Sequence, residues 1–179
     1  MIKKHGLPLL GSLAFGMVIL YIVSTLLQPV RMENTSKEEK KMMAALLPGS
    51  ETFIQEAYDG EDENIVAVWK GDSGYVIETA VDGYVDQITV WVGVENEGTV
   101  TGVTIRDMEE TWGLGRNTMT DLSYLSQYLY GMGDAGVGET IDAVTGATVS
   151  SKAVTRAVNS AVWYVTGADV TSSATEWGG

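Results

Sequence analysis

The 179-residue chain has the length of one domain plus an appendage, and its 24 acidic and 11 basic residues give a net charge of −13. It has no cysteine and one histidine, His5, which excludes disulfides and thiolate chemistry and leaves the domain no imidazole for a hydrolytic triad or a zinc site. The acidic excess disfavours binding to nucleic acid and to anionic lipid headgroups.

Residues 1–29 have the pattern of a transmembrane anchor. Leu7–Leu27 contains no charged residue and is long enough, at about 1.5 Å per residue, to cross a hydrocarbon core of about 30 Å. A cleaved signal peptide is the alternative, because Lys3 and Lys4 precede the apolar run. That run exceeds the usual ~7–15 residues and no A-x-A site follows it, so we expect the helix to be retained.

Charge alone does not fix the orientation of this anchor. Basic residues lie on both sides of it: Lys3 and Lys4 before, and Arg31, Lys37, Lys40 and Lys41 after. Counting lysine and arginine places the domain on the inner face of the membrane. A strongly acidic domain behind an uncleaved anchor is also compatible with export, so both orientations stay open at this point.

Residues 30–50 predict a connecting helix. "SKEE", residues 36–39, is a capping box, in which the serine hydroxyl and the glutamate three residues later satisfy free backbone N–H groups. The helix is expected to run to about Leu47, because Pro48 and Gly49 end it. Its apolar side, for docking on the domain, consists of Met42, Met43, Leu46 and Leu47.

The predicted domain covers residues 51–170 and begins with a series of strands between about residues 52 and 106. The strand segments are "TFIQEAY", "NIVAVWK", "GYVIETAV", "DQITVWVGVE" and "GTVTGVTIRD". In the fourth, Ile88, Val90, Val92 and Val94 alternate with other residues, which predicts one buried face and one partly open face. "ENEG", residues 95–98, supplies a hairpin turn to the fifth.

Helices are expected after the strands. Thr120 is a candidate cap for a helix with Leu122, Leu125 and Leu129 at helical spacing, and a glycine-rich loop follows at residues 131–138. The last helix has a buried stripe made of Val154, Ala157, Val158, Ala161, Val162 and Val165. The polar tail, residues 171–179, is expected to be flexible.

A cluster of hydroxyl residues, "DAVTGATVSS" at residues 142–151, directly precedes this last helix. Free N–H groups of a first helical turn and the helix dipole favour an anion there, by about 0.3–1 kcal/mol. This small free energy of anion binding would hold a phosphate only weakly in an acidic domain. A covalent bond through a threonine oxygen would hold it without relying on binding affinity. The alternative is an elaborate N-cap, with Asp142 as a simple turn residue.

The cluster resembles the flavin-attachment motif of the FMN-binding domains in the G subunit of the Rnf complex and in the C subunit of the sodium-pumping NADH:quinone reductase. That motif reads D-x-x-[S/T]-G-A-[S/T]-x-[S/T], and its fixed positions are filled by Asp142, Thr145, Gly146, Ala147, Thr148 and Ser150, with Val149 at the variable one. The resemblance implies FMN bound covalently to Thr148 as a phosphoester. A flavin transferase would install it from FAD with release of AMP, and the neighbouring motif residues would serve recognition and cradle the phosphate.

A second family signature, E-T-P-G-L-G, is similar to "ETWGLG", which consists of Glu110, Thr111, Trp112, Gly113, Leu114 and Gly115. Trp112 replaces the family's usual proline, which changes the stiffness of the loop and leaves room for an indole near the flavin. Taken alone, the segment reads as a glycine turn between elements. The preceding "DGYVDQITVWVGVENEGTVTGVTI" also resembles the family's glycine-tyrosine strand pair.

The resemblance implies an α+β fold, with an N-terminal transmembrane helix and one FMN-binding domain whose mainly antiparallel, twisted sheet packs against helices. It implies an electron-carrying subunit, without catalysis of its own, of a membrane-bound ion-translocating ferredoxin:NAD+ oxidoreductase. Its expected partners are the other membrane, iron-sulfur and flavin subunits and, during maturation, the flavin transferase. The domain is expected on the outer face.

Three other interpretations stay open. The chain could be the C subunit of a sodium-pumping NADH:quinone reductase, although that protein is typically longer. It could be another membrane-anchored flavinylated protein of extracellular electron transfer, but a lipoprotein is disfavoured because the chain has no cysteine to acylate. A membrane-tethered binding module without a cofactor belongs to a different class, and covalently held yellow colour would distinguish it from the flavoproteins.

Overall fold

The computed structural model of the protein describes residues 37–109 and 120–167. The chain divides into two compact units, Met1–Lys41 and Met42–Gly179. The transmembrane prediction for Leu7–Leu27, the second signature at residues 110–115 and the polar tail fall outside the described residues. Within the two described ranges, no helix has the length and apolar character needed to cross a bilayer.

The connecting helix covers residues 37–46 (α1) and ends before Pro48, as its sequence predicts. Gly49 has a φ of +89°, a left-handed conformation that suits glycine, and the chain turns there toward the sheet. The side chains of Met43, Leu46 and Leu47 are buried. This apolar side is the one predicted to dock on the domain.

The centre of the fold is a five-stranded antiparallel sheet in which each strand pairs with its neighbours in sequence. The strands are β1 (Ile54–Glu56), β2 (Ile65–Lys70), β3 (Gly74–Asp82), β4 (Gln87–Glu95) and β5 (Val100–Met108). Such a sheet with flanking helices is an α+β fold, which confirms the predicted fold class for the described domain. The first strand is shorter than its sequence suggested.

The long helix α3 (Thr148–Thr166) packs on β3 and β4. The stripe predicted for it is buried from Val154 to Val162, and Val165 is half-buried. Its partners include the alternating apolar residues of β4, namely Ile88, Val90, Val92 and Val94, which belong to the same core. The periodic patterns of these two elements therefore predicted the main core.

The other face of β4 is partly open, as predicted, at Gln87, which is exposed, and at Thr89, which is half-buried, but it is covered at Trp91 and Gly93. Trp91 is 1% exposed and packs in a second cluster with Met43, Leu46 and Leu47. Gly93 and Gly102 pair across β4 and β5 directly beneath Leu46. A Cβ at Gly93 would overlap the carbonyl oxygen of Leu46, so glycine here allows the backbone at Leu46 to lie close to the sheet.

The helix predicted after Thr120 is also different from expectation. It is one α-helical turn, α2 (Leu122–Leu125), followed by a 3-10 turn at Ser126–Tyr128. Its N-cap is Asp121, whose carboxylate accepts from the N–H of Ser123 at 3.0 Å. Leu122 is 82% exposed, whereas Leu125 is buried in the core together with Tyr124 and Tyr128. Residues 131–138 form a loop, as predicted.

Candidate functional site

The hydroxyl cluster forms a loop that enters α3, and hydrogen bonds of Ser151 fix its shape. The Oγ of Ser151 accepts from the N–H of Val144 at 3.1 Å and donates to the carbonyl of Ala147 at 2.9 Å. Gly146 has a φ of +79°, which a residue with a Cβ adopts only with strain. The loop is thus closed onto the first turn of the helix.

The motif residues are split between solvent and core. Asp142, Thr145, Gly146 and Thr148 are exposed, and Val149 is half exposed. Ala147 and Ser150 are buried, at 7% and 1% exposure. The exposed members form the side of the loop that a ligand could reach, and the buried ones hold the loop on the core.

Thr148 is the first residue of α3 and is exposed to solvent. Within residues 37–109 and 120–167, the hydroxyls of Thr145 and Thr148 make no hydrogen bond. The first turn holds no acidic side chain, so nothing in it opposes an anion. The N-cap is Ala147, which makes no side-chain hydrogen bond to the helix.

Two buried tyrosines are hydrogen-bonded to the first turns of α3. The hydroxyls of Tyr124 and Tyr128 lie 2.8 Å apart, and that of Tyr128 lies 2.8 Å from the Oγ1 of Thr155. Thr155 in turn donates to the carbonyl of Ser151 at 3.0 Å. Burial raises the pKa of both tyrosines above its ordinary value, so both stay protonated and neutral at physiological pH.

These supporting residues were missed by the sequence analysis. The signals were present: Tyr124 and Tyr128 are four residues apart, and Ser151 lies four residues after Ala147, the spacing at which a serine hydroxyl reaches back to a carbonyl. Gln127 was missed as well, and its side-chain oxygen accepts from the N–H of Asp142 at 2.7 Å. Gln127 also lines a cavity of about 200 Å³ beside α3.

The end of the sheet lies beside the first turns of α3. Arg156 donates to the carbonyl of Asp82, at the end of β3, at 3.3 Å. Ile88, at the start of β4, pairs with Met108, the last residue of β5, on one side and with Val81, near the end of β3, on the other. Glu109 follows Met108 and is the last described residue before the second signature, so the chain leaves the sheet toward that signature at this same end.

Comparison with known proteins identifies the family of this chain. Residues 83–163, which run from the β3–β4 hairpin through most of α3, match the model of the FMN-binding domain family. A relative in Clostridium ljungdahlii, the G subunit of a proton-translocating ferredoxin:NAD(+) oxidoreductase complex, is 30% identical over 83% of each chain.

Two further relatives are each named as the G subunit of an ion-translocating oxidoreductase complex. That of Methanosarcina acetivorans is 31% identical over 73% of this chain and 76% of its own. That of Cronobacter sakazakii is 27% identical over 91% of this chain and 89% of its own.

The match over residues 83–163, which include β4, β5 and most of α3, places this part of the chain in the class of FMN-binding domains. Within it, the chain belongs to the family formed by the G subunits of ion-translocating oxidoreductase complexes. This confirms the family expected from the two signatures.

Proposed function

We propose that the protein is the electron-carrying flavoprotein subunit of a membrane-bound, ion-translocating ferredoxin:NAD+ oxidoreductase, and that its FMN is attached to Thr148 as a phosphoester. The family match supports FMN as the cofactor, and the name of the Clostridium ljungdahlii relative supports the complex. The observation that carries the attachment site is Thr148 at the first position of α3: the residue is exposed, and its hydroxyl has no hydrogen bond within the described residues.

Exposure separates Thr148 from the other hydroxyls of the cluster. Ser150 and Ser151 are 1% and 0% exposed, and the Ser151 hydroxyl already bonds the loop on both sides. Thr145 is exposed, but it lies in the loop before the glycine turn, whereas Thr148 lies among the N–H groups of the first helical turn. An oxygen ester of Thr148 would therefore bring its phosphate closest to these donors.

The residues present fit such a phosphate. The first-turn N–H groups point away from the helix and offer hydrogen bonds to its oxygens, and the dipole of a 19-residue helix favours its negative charge. Gly146 in its left-handed conformation presents no Cβ to an approaching group. Asp142 and Thr145, exposed at the start of the loop, are proposed to be contacts of the flavin transferase.

Attachment requires a donor of the flavin phosphate, for which we propose FAD bound to a flavin transferase. The Oγ of Thr148 forms a bond to the phosphorus of the FMN half, and the pyrophosphate bond of FAD breaks. AMP leaves, and the hydroxyl proton passes to solvent. The product is a phosphodiester with one negative charge, which joins the threonine to the flavin and involves no change of oxidation state.

The bound flavin supplies the redox chemistry, since the chain has no cysteine and only one histidine, His5. The chain's residues hold the cofactor and position it. Glu110, Thr111, Trp112, Gly113, Leu114 and Gly115 are proposed to complete the pocket, because β5 leads into them at the same end of the sheet. A single N-terminal helix is proposed to anchor the domain on the outer face, beside the other subunits of the complex, which raises the local concentration of the redox partners.

The test uses the full chain, produced together with a flavin transferase, and three forms of residue 148. The wild type and Thr148→Ser should both carry FMN on the peptide that contains residue 148, detected by mass spectrometry. Thr148→Val, which keeps the branched shape and removes the hydroxyl, should be folded and colourless. A Thr148→Val protein that still fluoresces on a denaturing gel would overturn the assignment.

A further inference from the structure

The polar side chains by which the first turns of α3 reach solvent follow one line, and Val149 beside them is also exposed. Thr148, Lys152 and Arg156 are exposed and follow one another at intervals of four residues, so they share one face of the helix. The positions between Ala153 and Val162 other than Arg156 are buried. We call Thr148, Lys152 and Arg156 the open stripe.

The open stripe is basic on a domain that is otherwise strongly acidic. The basic side chains in the described part of Met42–Gly179 are Lys70, Arg106, Lys152 and Arg156. Lys70 lies 3.9 Å from the carboxylate of Glu56, and Arg106 lies 4.3 Å from the centre of the Trp91 ring. The other two both lie on α3, one and two turns after the proposed attachment residue.

We propose that Lys152 is a positioning residue for the flavin phosphate, and that its ammonium group neutralises the phosphodiester on Thr148. This inference rests on the proposed function. Side chains four apart on a helix start about 6 Å from each other, and a lysine stem spans that distance. In an acidic domain the single phosphate charge needs a local cation to offset the repulsion of the surface carboxylates.

Arg156 is less suited to this role. It lies eight residues from Thr148, which is about 12 Å along the helix axis. Its guanidinium is also engaged with the carbonyl of Asp82 at 3.3 Å. Spacing along the helix therefore favours Lys152, which is four residues from Thr148, as the cation within reach of the phosphate.

The test compares the full-length wild type with Lys152→Gln, Lys152→Arg and Lys70→Gln, each isolated without flavin and supplied with FAD and transferase. Lys70→Gln is the matched control, because it removes an exposed lysine at the other end of the sheet, where Lys70 pairs with Tyr75 at the start of β3. Intact mass gives the initial rate of flavin attachment. We expect Lys152→Gln to be slower by about twofold to fivefold, the range for an exposed ion pair, and the other two variants to match the wild type.

A second measurement separates positioning from recognition by the transferase. The phosphorus NMR resonance of the loaded wild type should move toward that of loaded Lys152→Gln as salt is added, because salt screens the ion pair. Slower attachment with an unchanged resonance would assign Lys152 to the transferase interface and overturn the proposal. This inference alone would be overturned if Lys152→Gln attached flavin as fast as the wild type while Thr148→Val attached none. Loading of Thr148→Val with flavin would instead overturn the attachment site.

Discussion

The hydroxyl of Ser151 accepts the backbone N–H of Val144 at 3.1 Å, across the loop that precedes α3. Both residues are buried, so no solvent replaces this bond when it is lost. Ser151 thereby ties the shape of the motif loop to the stability of the domain.

Ser151→Ala should weaken both stability and flavin attachment. The buried N–H of Val144 would lose its acceptor, which costs about 1–3 kcal/mol. Denaturant unfolding gives the stability, and intact mass gives the flavin content. The control is Ser160→Ala, a buried serine farther along the same helix, which should lower stability without lowering flavin content. Equal flavin content in the two variants would contradict a role for Ser151 in holding the loop.

The left-handed turn at Gly146 gives a second prediction. Gly146→Ala should destabilise the domain by about 1 kcal/mol, because alanine is strained at a φ of +79°, and it should reduce flavin attachment. Gly167→Ala is the matched control, since Gly167 has a φ of +69° at the other end of α3 and open space around it. Thermal unfolding should show similar losses for both, with flavin content reduced in Gly146→Ala only.

The buried tyrosines predict loss of stability at alkaline pH. Burial raises the pKa of Tyr124 and Tyr128 in the folded state above the ordinary value of 10.0. Their contribution to stability is therefore complete below about pH 10 and is lost progressively as the pH rises, because the unfolded chain then releases their protons more readily. The free energy of unfolding, measured by urea titration from about pH 8 to 11, should fall above about pH 10.

A double variant checks the origin of that fall. Tyr124→Phe with Tyr128→Phe should be less stable at about pH 8 by about 1–3 kcal/mol, since the Oγ1 of Thr155 loses a partner, and its decline above about pH 10 should be shallower. Tyr130→Phe alters a side chain that is 80% exposed and should leave the wild-type profile unchanged. If the free energy of unfolding fell equally in the double variant and the wild type, groups other than Tyr124 and Tyr128 would cause the alkaline sensitivity.

The glycine pair beneath Leu46 gives a fourth prediction. Gly93→Ala should destabilise the domain by about 1–3 kcal/mol, because the new methyl group forces α1 away from the sheet. The near-ultraviolet circular dichroism should change as well, since Trp91 is buried under the same helix. Gly102→Ala meets the Cα of Leu46 and should behave similarly. A wild-type melting temperature in both variants would refute the close contact.

Local periodicity predicted those parts of the fold that a single element determines. The alternation of β4 and the stripe of α3 each require only neighbouring residues, and both faces are buried as expected. The covered side of Trp91 was missed because its burial depends on α1, which is remote in sequence. The length of α2 was overestimated because the leucine spacing does not by itself form one buried stripe: Leu122 is exposed, Leu125 is buried and Leu129 is half-buried.

The candidate site was predictable as a motif but not as a geometry. The sequence placed Thr148 at the start of a helix, where the structure also has it. It did not distinguish the exposed hydroxyls from the buried ones, because that distinction depends on how α3 rotates against the sheet. Nor did it reveal Ser151, whose partners Val144 and Ala147 come together only when the loop closes.

Helix α3 is buried on nearly every side from Ser150 to Val162, so its first turn is fixed to the body of the domain. A prosthetic group esterified at Thr148 would have a rigid base, and its freedom would come from rotation about the few single bonds of its own tether. The distance that an electron must cross to a neighbouring subunit would then vary mainly with the docking pose of the whole domain.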